Sequence, residues 1–262
     1  MCAQAGGAKV ATTLAREVNA ARRAAGVSQM IDTIDIGGGL PVSWGTAEQR
    51  PSFSDYAAAL REGVPELFTD EFPRVVTEMG AAMHCRFGWV GSVVEVTKDV
   101  SKEHVIAMIH AGSDVFARQC YAPNMRLPHP IYAYTSDGMP KQSKAADGDG
   151  EAGDVVEHDI AGPLCFSGDI VAPGVPLPRL RVGDIVVLDE AGGNCLSIST
   201  THCSRRRPPV FGYSSSAVLR DRAVALAARG EAVPDGGDGG DGLHFALLVP
   251  GASIDDTLRI WG

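Results

Sequence analysis

A glycine triplet at the end of an apolar segment is the first group that could do chemistry. Residues 31–36 (IDTIDI) form a strand-like pattern, and Gly37–Gly39 follow it directly. Glycine allows a backbone to approach a ligand closely. The N–H groups of such a turn could hold a phosphate at the carboxyl end of a barrel strand. A tight turn that binds nothing accounts for the same residues.

Two other phosphate-binding turns fit poorly. A Rossmann turn would lead from G-x-G-x-x-G into a helix, whereas Pro41 and the V-S-W-G that follows it do not resemble a helix start. A Walker loop is excluded because no Gly-Lys-Ser/Thr sequence follows the triplet.

An acidic residue ends the next strand pattern. Residues 74–78 (RVVTE) finish in Glu78, and Gly80 comes two residues later. A lone glutamate at a strand end can simply be solvated. Beside a phosphate-bearing pyridine cofactor, its carboxylate could instead hold a proton on the ring nitrogen, so that the ring accepts electrons released at a substrate's α-carbon.

The elements that would position these groups alternate between helix and strand. The pattern predicts a helix over 8–25, a strand over 31–36, a helix over 54–63 and a strand over 74–78. Such alternation is typical of a parallel α/β unit. A complete α/β barrel needs about 250 residues, so these elements can form only part of one.

The composition and pattern of the sequence change near residue 88. Short runs rich in Val and Ile, separated by Gly, Pro and Asp, then predict an antiparallel β-sandwich or barrel; they are GWVGSVVEVTK, EHVIAMIH, HPIYAYT, GDIVVLDE, NCLSIST and LHFALLV. We therefore predict an α/β domain over 1–88 and a β domain over 89–262. The β domain should also contain a helix at 214–229 and acidic, glycine-rich loops near 144–154 and 230–242.

Composition excludes several classes of protein. A net charge of -9 argues against binding to a nucleic-acid backbone, and no apolar run is long enough to span a membrane. The six cysteines show neither a CxxC pair nor zinc-ligand spacing, so we expect free thiols, no metal site and a reducing, cytoplasmic compartment. The N-terminus is rich in Ala and Arg, which leaves organellar targeting open.

A third segment carries a family resemblance. Residues 162–209 (GPLCFSGDIVAPGVPLPRLRVGDIVVLDEAGGNCLSISTTHCSRRRPP) resemble the C-terminal half of the ornithine/diaminopimelate/arginine decarboxylase family. The D-I-G-G-G-L-P and E-x-G motifs occur in the family's order, so the match extends over about 8–213. The resemblance implies a fold-type III pyridoxal-phosphate enzyme with an alanine-racemase-like barrel followed by a β domain.

The resemblance also implies roles for individual residues. The cofactor, pyridoxal 5'-phosphate, would be bound by Gly37, Gly38, Gly39, Glu78, Gly80 and Asn194. Cys165 would reprotonate the carbanion after carbon dioxide leaves, reaching into a neighbouring subunit's site, and Asp169 would lie at the same shared interface. A thiol, with a pKa of roughly 8.5, can donate a proton at neutral pH.

Three positions depart from the diaminopimelate-specific pattern. Ala81 stands where the family usually has arginine, Phe166 where these members have glutamate, and His129 where they tend to have arginine. The distal amino-carboxylate of diaminopimelate would find no charged partner at these three positions. We therefore expect a less polar amino acid as substrate. Tyr132 could lie near the substrate or within the β core. Asn194 replaces a frequent tyrosine and has a shorter reach to the phosphate.

The lysine that would attach the cofactor is missing from its expected early barrel strand. None of the five lysines fits that position; they are Lys9, Lys98, Lys102, Lys141 and Lys144. We therefore expect the C-terminal part of a larger enzyme, or a truncated paralogue, that is inactive alone. The alternative is a non-catalytic paralogue with an interaction or regulatory role. The expected partner is a second copy or a full-length relative.

Overall fold

The computed structural model describes residues 2–46, 48, 50–143, 152–214 and 244–261. The predicted helix at 214–229 and the loop at 230–242 lie outside the described residues, apart from residue 214. The same holds for most of the loop at 144–154. No helix in the described ranges is both long and apolar enough to cross a membrane.

The first part of the chain is a small parallel α/β unit. Its helices and strands are α1 (Cys2–Ala24), β1 (Thr33–Asp35), α2 (Phe53–Gly63), β2 (Arg74–Val76) and α3 (Gly80–His84). Strands β1 and β2 pair in parallel, with Ile34 opposite Val75. All four predicted elements are present. Helix α1 begins earlier than predicted, at Cys2, and both strands are shorter than predicted.

Helix α2 shows how local sequence fixes this unit. The Ser52 hydroxyl accepts a hydrogen bond from the Asp55 amide, and the Asp55 carboxylate accepts one from the Ser52 amide, which forms a capping box. Tyr56 and Leu60, four residues apart, are both buried on one face of the helix. They pack into an apolar core with residues of α1, β1 and the segment before β2, including Ala15, Ile34, Val64, Leu67 and Phe72.

A six-stranded sheet forms most of the remaining structure. Its strands are β3 (Val90–Asp99), β4 (His104–Ile109), β5 (Ile131–Tyr134), β8 (Val155–Ala161), β9 (Ile170–Pro178) and β10 (Ile185–Leu188). Their order is β5-β10-β3-β4-β8-β9. All neighbouring pairs are antiparallel except β4 and β8, which are parallel. A parallel pair needs a long crossover, and a long excursion through α4 (Ala117–Tyr121) and β5 separates these two strands.

Smaller elements complete the fold. Strands β6 (Gln142–Ser143) and β7 (Ala152–Gly153) form one short pair, and β11 (Val210–Ser214) and β12 (His244–Val249) form another. A C-terminal helix, α5, covers Ile254–Trp261.

One predicted strand is wrong. The run NCLSIST contains a short 3-10 turn, Leu196–Ile198, in place of a strand. Asn194 has a left-handed φ of 57°, and the Thr200 amide donates to the Asp114 carbonyl at 2.8 Å, so the segment folds back onto another loop. The residues His202–Ser204 form a second 3-10 turn, so they do not alternate across a strand.

The core of the six-stranded sheet contains a neutral histidine. His158 is fully buried. Its Nδ1 lies 2.9 Å from the Val156 carbonyl oxygen, and its Nε2 lies 3.2 Å from the Leu180 amide. Nδ1 therefore carries the proton and donates it, whereas Nε2 accepts. Burial lowers the pKa of His158 below its ordinary value.

This geometry predicts a pH-dependent stability. The unfolded chain binds more protons than the folded chain between the lowered pKa of His158 and its unfolded value of roughly 6.5. The free energy of unfolding should therefore fall as the pH drops below about 6.5. Urea unfolding at pH 7.5 and pH 5.5 measures this loss, which should shrink in His158→Gln and persist in the exposed-site control His84→Gln. An equal loss in all three proteins would contradict the prediction.

Candidate functional site

The glycine triplet and Glu78 lie side by side at the carboxyl ends of β1 and β2. The Glu78 amide donates to the Gly37 carbonyl at 2.8 Å, which continues the pairing of the two strands by one step. A Cβ atom on Gly38 would overlap the Glu78 carbonyl oxygen. Glycine is thus required at position 38 for this close approach.

The glycine turn is open on one flank and closed on the other. Gly37 and Gly39 have left-handed φ values of 67° and 96°, and the Gly37 amide donates to the Asp35 carboxylate at 2.8 Å. A Cβ on Gly37 would meet no atom within 4 Å, whereas one on Gly39 would run into the Gln4 side chain of α1. The open flank leaves room for a ligand beside the turn.

Helix α3 begins at the same end of the two strands. Glu78 is exposed, and its carboxylate forms no salt bridge with any residue that the structure describes. Gly80 opens α3, with no atom within 4 Å of where a Cβ would stand, and Ala81 is the next residue. An accessible carboxylate and a glycine turn beside it are suited to a ring nitrogen and a phosphate, so these residues fit pyridoxal phosphate.

Asn194 is held near the C-terminal end of α3 by a packed loop. The Gly192 amide donates to the Cys85 carbonyl at 2.9 Å, and a Cβ on Gly192 would overlap the His84 carbonyl oxygen. The buried Glu190 carboxylate accepts from the Gly45 amide at 3.1 Å. These contacts join the loop that carries Asn194 to the unit that contains the glycine turn.

The described lysines lie elsewhere. Lys9 is exposed on α1, and Lys98 and Lys102 are exposed on and just after β3. Lys141 is buried in an ion pair, with its Nζ 2.5 Å from the Asp184 carboxylate. Lys144 lies outside the described residues. None of the four described lysines is positioned at the ends of β1 and β2.

The loop that carries Cys165 is wrapped around the Asp169 carboxylate, which is 3% exposed. One carboxylate oxygen accepts from the Ser113 amide at 2.6 Å, and the other from the Leu164 amide at 2.8 Å. A Cβ on Gly112 or Gly162 would collide with this carboxylate. Asp169 therefore faces inward and fixes the shape of its own loop.

A buried thiol adds to the surroundings of this carboxylate. The Cys120 Sγ lies 3.7 Å from Asp169 Oδ1. Burial, with a smaller contribution from the Asp169 charge, raises the pKa of Cys120 to about 12. Cys120 is therefore a protonated thiol that can donate to the carboxylate.

Phe166 belongs to an aromatic stack. Its ring lies 5.2 Å from Tyr121, whose ring lies 6.2 Å from His202. The Tyr121 hydroxyl also forms a hydrogen bond with His202 Nδ1. The exposed Cys165 lies beside this stack, and its Sγ is 3.8 Å from the Sγ of Cys203.

Tyr121, His202 and Cys203 surround Cys165 without having been predicted as its neighbours. No spacing signal reveals them, because the two cysteines are 38 positions apart. Their proximity follows from a shared anchor, the segment 112–114. Its Ser113 amide binds Asp169, while its Asp114 carboxylate accepts from Arg205 Nε at 3.2 Å.

His129 and Tyr132 occupy different surroundings. His129 is buried, with Nδ1 3.0 Å from the Asp189 carbonyl oxygen and Nε2 3.8 Å from the Cys195 Sγ. Burial lowers the pKa of His129, so its ring is neutral at pH 7. Both ring nitrogens already contact protein atoms. Tyr132, on β5, is 48% exposed and available to a ligand.

The structure thus brings the predicted residues into two groups. The first contains Gly37–Gly39, Glu78, Gly80 and Ala81, with Asn194 joined to it by the loop contacts above. The second contains Cys165, Phe166 and Asp169. Among the hydrogen bonds and ring contacts of the described residues, none links a member of the second group to a member of the first.

Known proteins share both parts of this arrangement. The pyridoxal-binding-domain model of the pyridoxal-dependent decarboxylases matches residues 5–85, and the C-terminal sheet-domain model matches residues 88–192. Diaminopimelate decarboxylase of Streptomyces coelicolor is 30% identical over 210 residues, which cover 74% of this chain and 44% of that protein. The chain spans less than half the length of this curated relative.

Solved structures show the same fold. Diaminopimelate decarboxylase of Helicobacter pylori, complexed with L-lysine, superimposes with a TM-score of 0.62 at 17% identity, covering 97% of this chain and 50% of that one. A lysine/ornithine decarboxylase of Vibrio vulnificus, complexed with putrescine, gives 0.52 at 20% identity, covering 72% of this chain and 45% of that one. The predicted fold class, part of an α/β barrel followed by a β domain, is confirmed.

The two matched models belong to one family, follow each other in its order and together cover well over half of the residues. The cofactor of that family is pyridoxal phosphate, for which the ends of β1 and β2 are suited. The chain belongs to the pyridoxal-dependent ornithine/diaminopimelate/arginine decarboxylases.

Proposed function

We propose that this chain supplies the cofactor contacts and a proton-donating thiol of an amino-acid decarboxylase. The observation that carries the proposal is the 2.8 Å hydrogen bond between the Glu78 amide and the Gly37 carbonyl. It keeps a glycine turn and an exposed carboxylate on adjacent strand ends. Pyridoxal phosphate, when bound, provides the electron sink for the carbon–carbon bond that breaks.

The residues at the carboxyl ends of β1 and β2 bind and orient the cofactor. The backbone amides of Gly38, Gly39 and Gly80 would hold the phosphate, since the Gly37 amide already donates to the Asp35 carboxylate, and the Asn194 carboxamide would donate a hydrogen bond toward it. The Glu78 carboxylate accepts a hydrogen bond from the ring nitrogen and keeps the proton there, because a negative charge favours the protonated ring. We assign the contacts of the glycine turn, Gly80 and Glu78 to a domain over 1–88, and that of Asn194 to the β domain over 89–262.

Cys165 moves a proton. Its Sγ–H donates to the substrate's α-carbon after carbon dioxide has left. Asp169 acts as a positioning residue, because its buried carboxylate holds the backbone amides of Ser113 and Leu164 and so fixes the loop from which the thiol projects. We further propose a homodimer in which Cys165 completes the site of the second copy. The exposed thiol supports this assignment.

The substrate is proposed to be less polar than diaminopimelate. Phe166 offers an aromatic ring already stacked on Tyr121, Ala81 offers a methyl group, and His129 is buried and neutral. None of these presents a charge to a distal amino-carboxylate, which would be costly to leave unpaired. Tyr132 remains the exposed candidate for a hydrogen bond to the substrate.

A non-catalytic subunit is the second candidate. It is favoured by the positions of the described lysines, which leave no amine at the ends of β1 and β2. An apolar groove of about 870 Å³ beside β2 offers a surface for association; Phe53, Tyr56, Val75, Met83 and Phe87 are among its lining residues. Under this proposal the chain pairs with a full-length family member.

Association decides between a catalytic and a non-catalytic subunit. The second candidate predicts that the purified chain sediments as a heterodimer when it is mixed with a full-length relative at micromolar concentration, whereas the first predicts a homodimer. Separate boundaries for the two proteins in analytical ultracentrifugation would argue against the second candidate. Carbon dioxide release by the chain alone, with pyridoxal phosphate and an amino acid, at a rate above that of free pyridoxal phosphate would favour the catalytic candidate.

Cofactor binding tests the role of Glu78. In an absorbance titration with pyridoxal phosphate, Glu78→Gln should weaken binding about tenfold, because hydrogen bonds to charged groups contribute about 1.5–3 kcal/mol. The matched control, Glu62→Gln, changes an exposed acid on α2 and should bind as the native chain does. Equal affinities for all three proteins would refute the assignment.

Loop stability tests the role of Asp169. Asp169→Asn replaces one carboxylate oxygen by an NH2 group that cannot accept from Ser113 or Leu164, so the free energy of unfolding should fall by about 2 kcal/mol. Urea denaturation measures the difference. The exposed-site control Asp70→Asn should unfold at the native midpoint. A midpoint for Asp169→Asn that matches the control would mean that the carboxylate does not hold the loop.

A further inference from the structure

We propose that Cys165 and Cys203 form an oxidisable dithiol site that closes into an intramolecular disulfide. The two Sγ atoms are 3.8 Å apart, and both side chains are exposed. Cys85, Cys120 and Cys195, by contrast, are buried. A small oxidant can therefore reach this pair, while the buried thiols are shielded.

The proximity of the two thiols is built into the fold. Phe166 directly follows Cys165, His202 directly precedes Cys203, and their rings lie 6.1 Å apart. Tyr121 stacks on both rings and forms a hydrogen bond with His202. The aromatic stack therefore holds together the two segments that contain Cys165 and Cys203.

A second set of contacts fixes the segments that contain Cys165 and Cys203 to residues 113 and 114. The Ser113 amide binds the Asp169 carboxylate of the Cys165 loop. The next residue, Asp114, accepts from Arg205 Nε, two positions after Cys203, and its carbonyl accepts from the Thr200 amide. Both segments are thus anchored on one short stretch of backbone, so the thiols stay close as the side chains move.

The two sulfur atoms need to move only a short distance to form a disulfide bond. A disulfide has an S–S distance of roughly 2.05 Å, so the sulfur atoms must move closer by about 1.8 Å. Rotation about the Cα–Cβ bonds of two exposed side chains can supply such a movement. Cys203 and Ser204 have left-handed φ values of 53° and 56°, which set the direction of the Cys203 side chain.

The local electrostatics assign an order to the chemistry. The hydrogen bond to Cys165 is the largest cause that raises the pKa of the Cys203 thiol. Because this raised pKa keeps the proton on Cys203, we assign the first attack to the Cys165 sulfur. This sulfur attacks a peroxide oxygen, an S–O bond forms as the O–O bond breaks, and one water leaves after proton uptake.

The second step closes the pair. The Cys203 sulfur attacks the sulfenic sulfur of Cys165, an S–S bond forms, and hydroxide leaves with the Cys203 proton as a second water. In sum, two thiols and one hydrogen peroxide give a disulfide and two waters. A consequence that rests on the proposed function is that oxidised Cys165 has no proton to donate, so oxidation would switch off reprotonation reversibly.

Peptide mapping of the full chain tests the site without any assay of activity. The reduced chain is treated with hydrogen peroxide, free thiols are blocked with N-ethylmaleimide, and the digest is read by mass spectrometry. We expect a peptide pair linked through Cys165 and Cys203 that dithiothreitol separates. The matched control Cys195→Ser, which removes a buried thiol, should form the same link.

Single variants make the order of steps testable. Cys203→Ser should leave a sulfenic acid on Cys165 that dimedone captures, whereas Cys165→Ser should leave Cys203 largely unoxidised. Free Cys165 and Cys203 after oxidation, or cross-links to a second chain only, would overturn the proposal. Because the mapping needs no cofactor, a chain that forms the link but binds no pyridoxal phosphate would refute the proposed function alone.

Discussion

The buried carboxylate of Asp169 is the constraint on which the β-domain loops depend. A charge that is 3% exposed is tolerated only when hydrogen-bond donors surround it, and the Ser113 and Leu164 amides meet that need. Gly112 and Gly162 are glycines because any side chain would strike this carboxylate. One buried acid thus explains two glycines, the path of the loop and the exposure of Cys165.

The parallel pairing of β1 and β2 has the same importance for the first part of the chain. Parallel strands end at the same edge, so residues that follow them in sequence become neighbours in space. Gly38 and Glu78 are 40 positions apart, yet the glycine is packed against the glutamate backbone. The contact leaves the Glu78 side chain free to face solvent or a ligand.

Sequence patterns predicted the elements with strong local signals and failed where contacts between distant segments decide the structure. The alternation of helix and strand patterns located β1, β2 and α2. The run NCLSIST has the composition of a strand, but a hydrogen bond from Thr200 to Asp114 draws it into a turn. Motif order led to the predicted roles of Cys165 and Asp169. The proximity of Cys203 depends on a shared anchor that no spacing encodes.

The separation of the two residue groups bears on how a site could be assembled. The strand ends offer backbone amides and a carboxylate, whereas the thiol projects from a loop fixed to a different sheet. In the proposed homodimer, a symmetric pair of chains would join two such groups twice, because each copy would lend its thiol to the other's strand ends. Under that proposal the proton donor reaches the cofactor only after association. An exposed thiol that waits for a partner also needs protection from overoxidation, which a neighbouring Cys203 can give by forming a reversible disulfide.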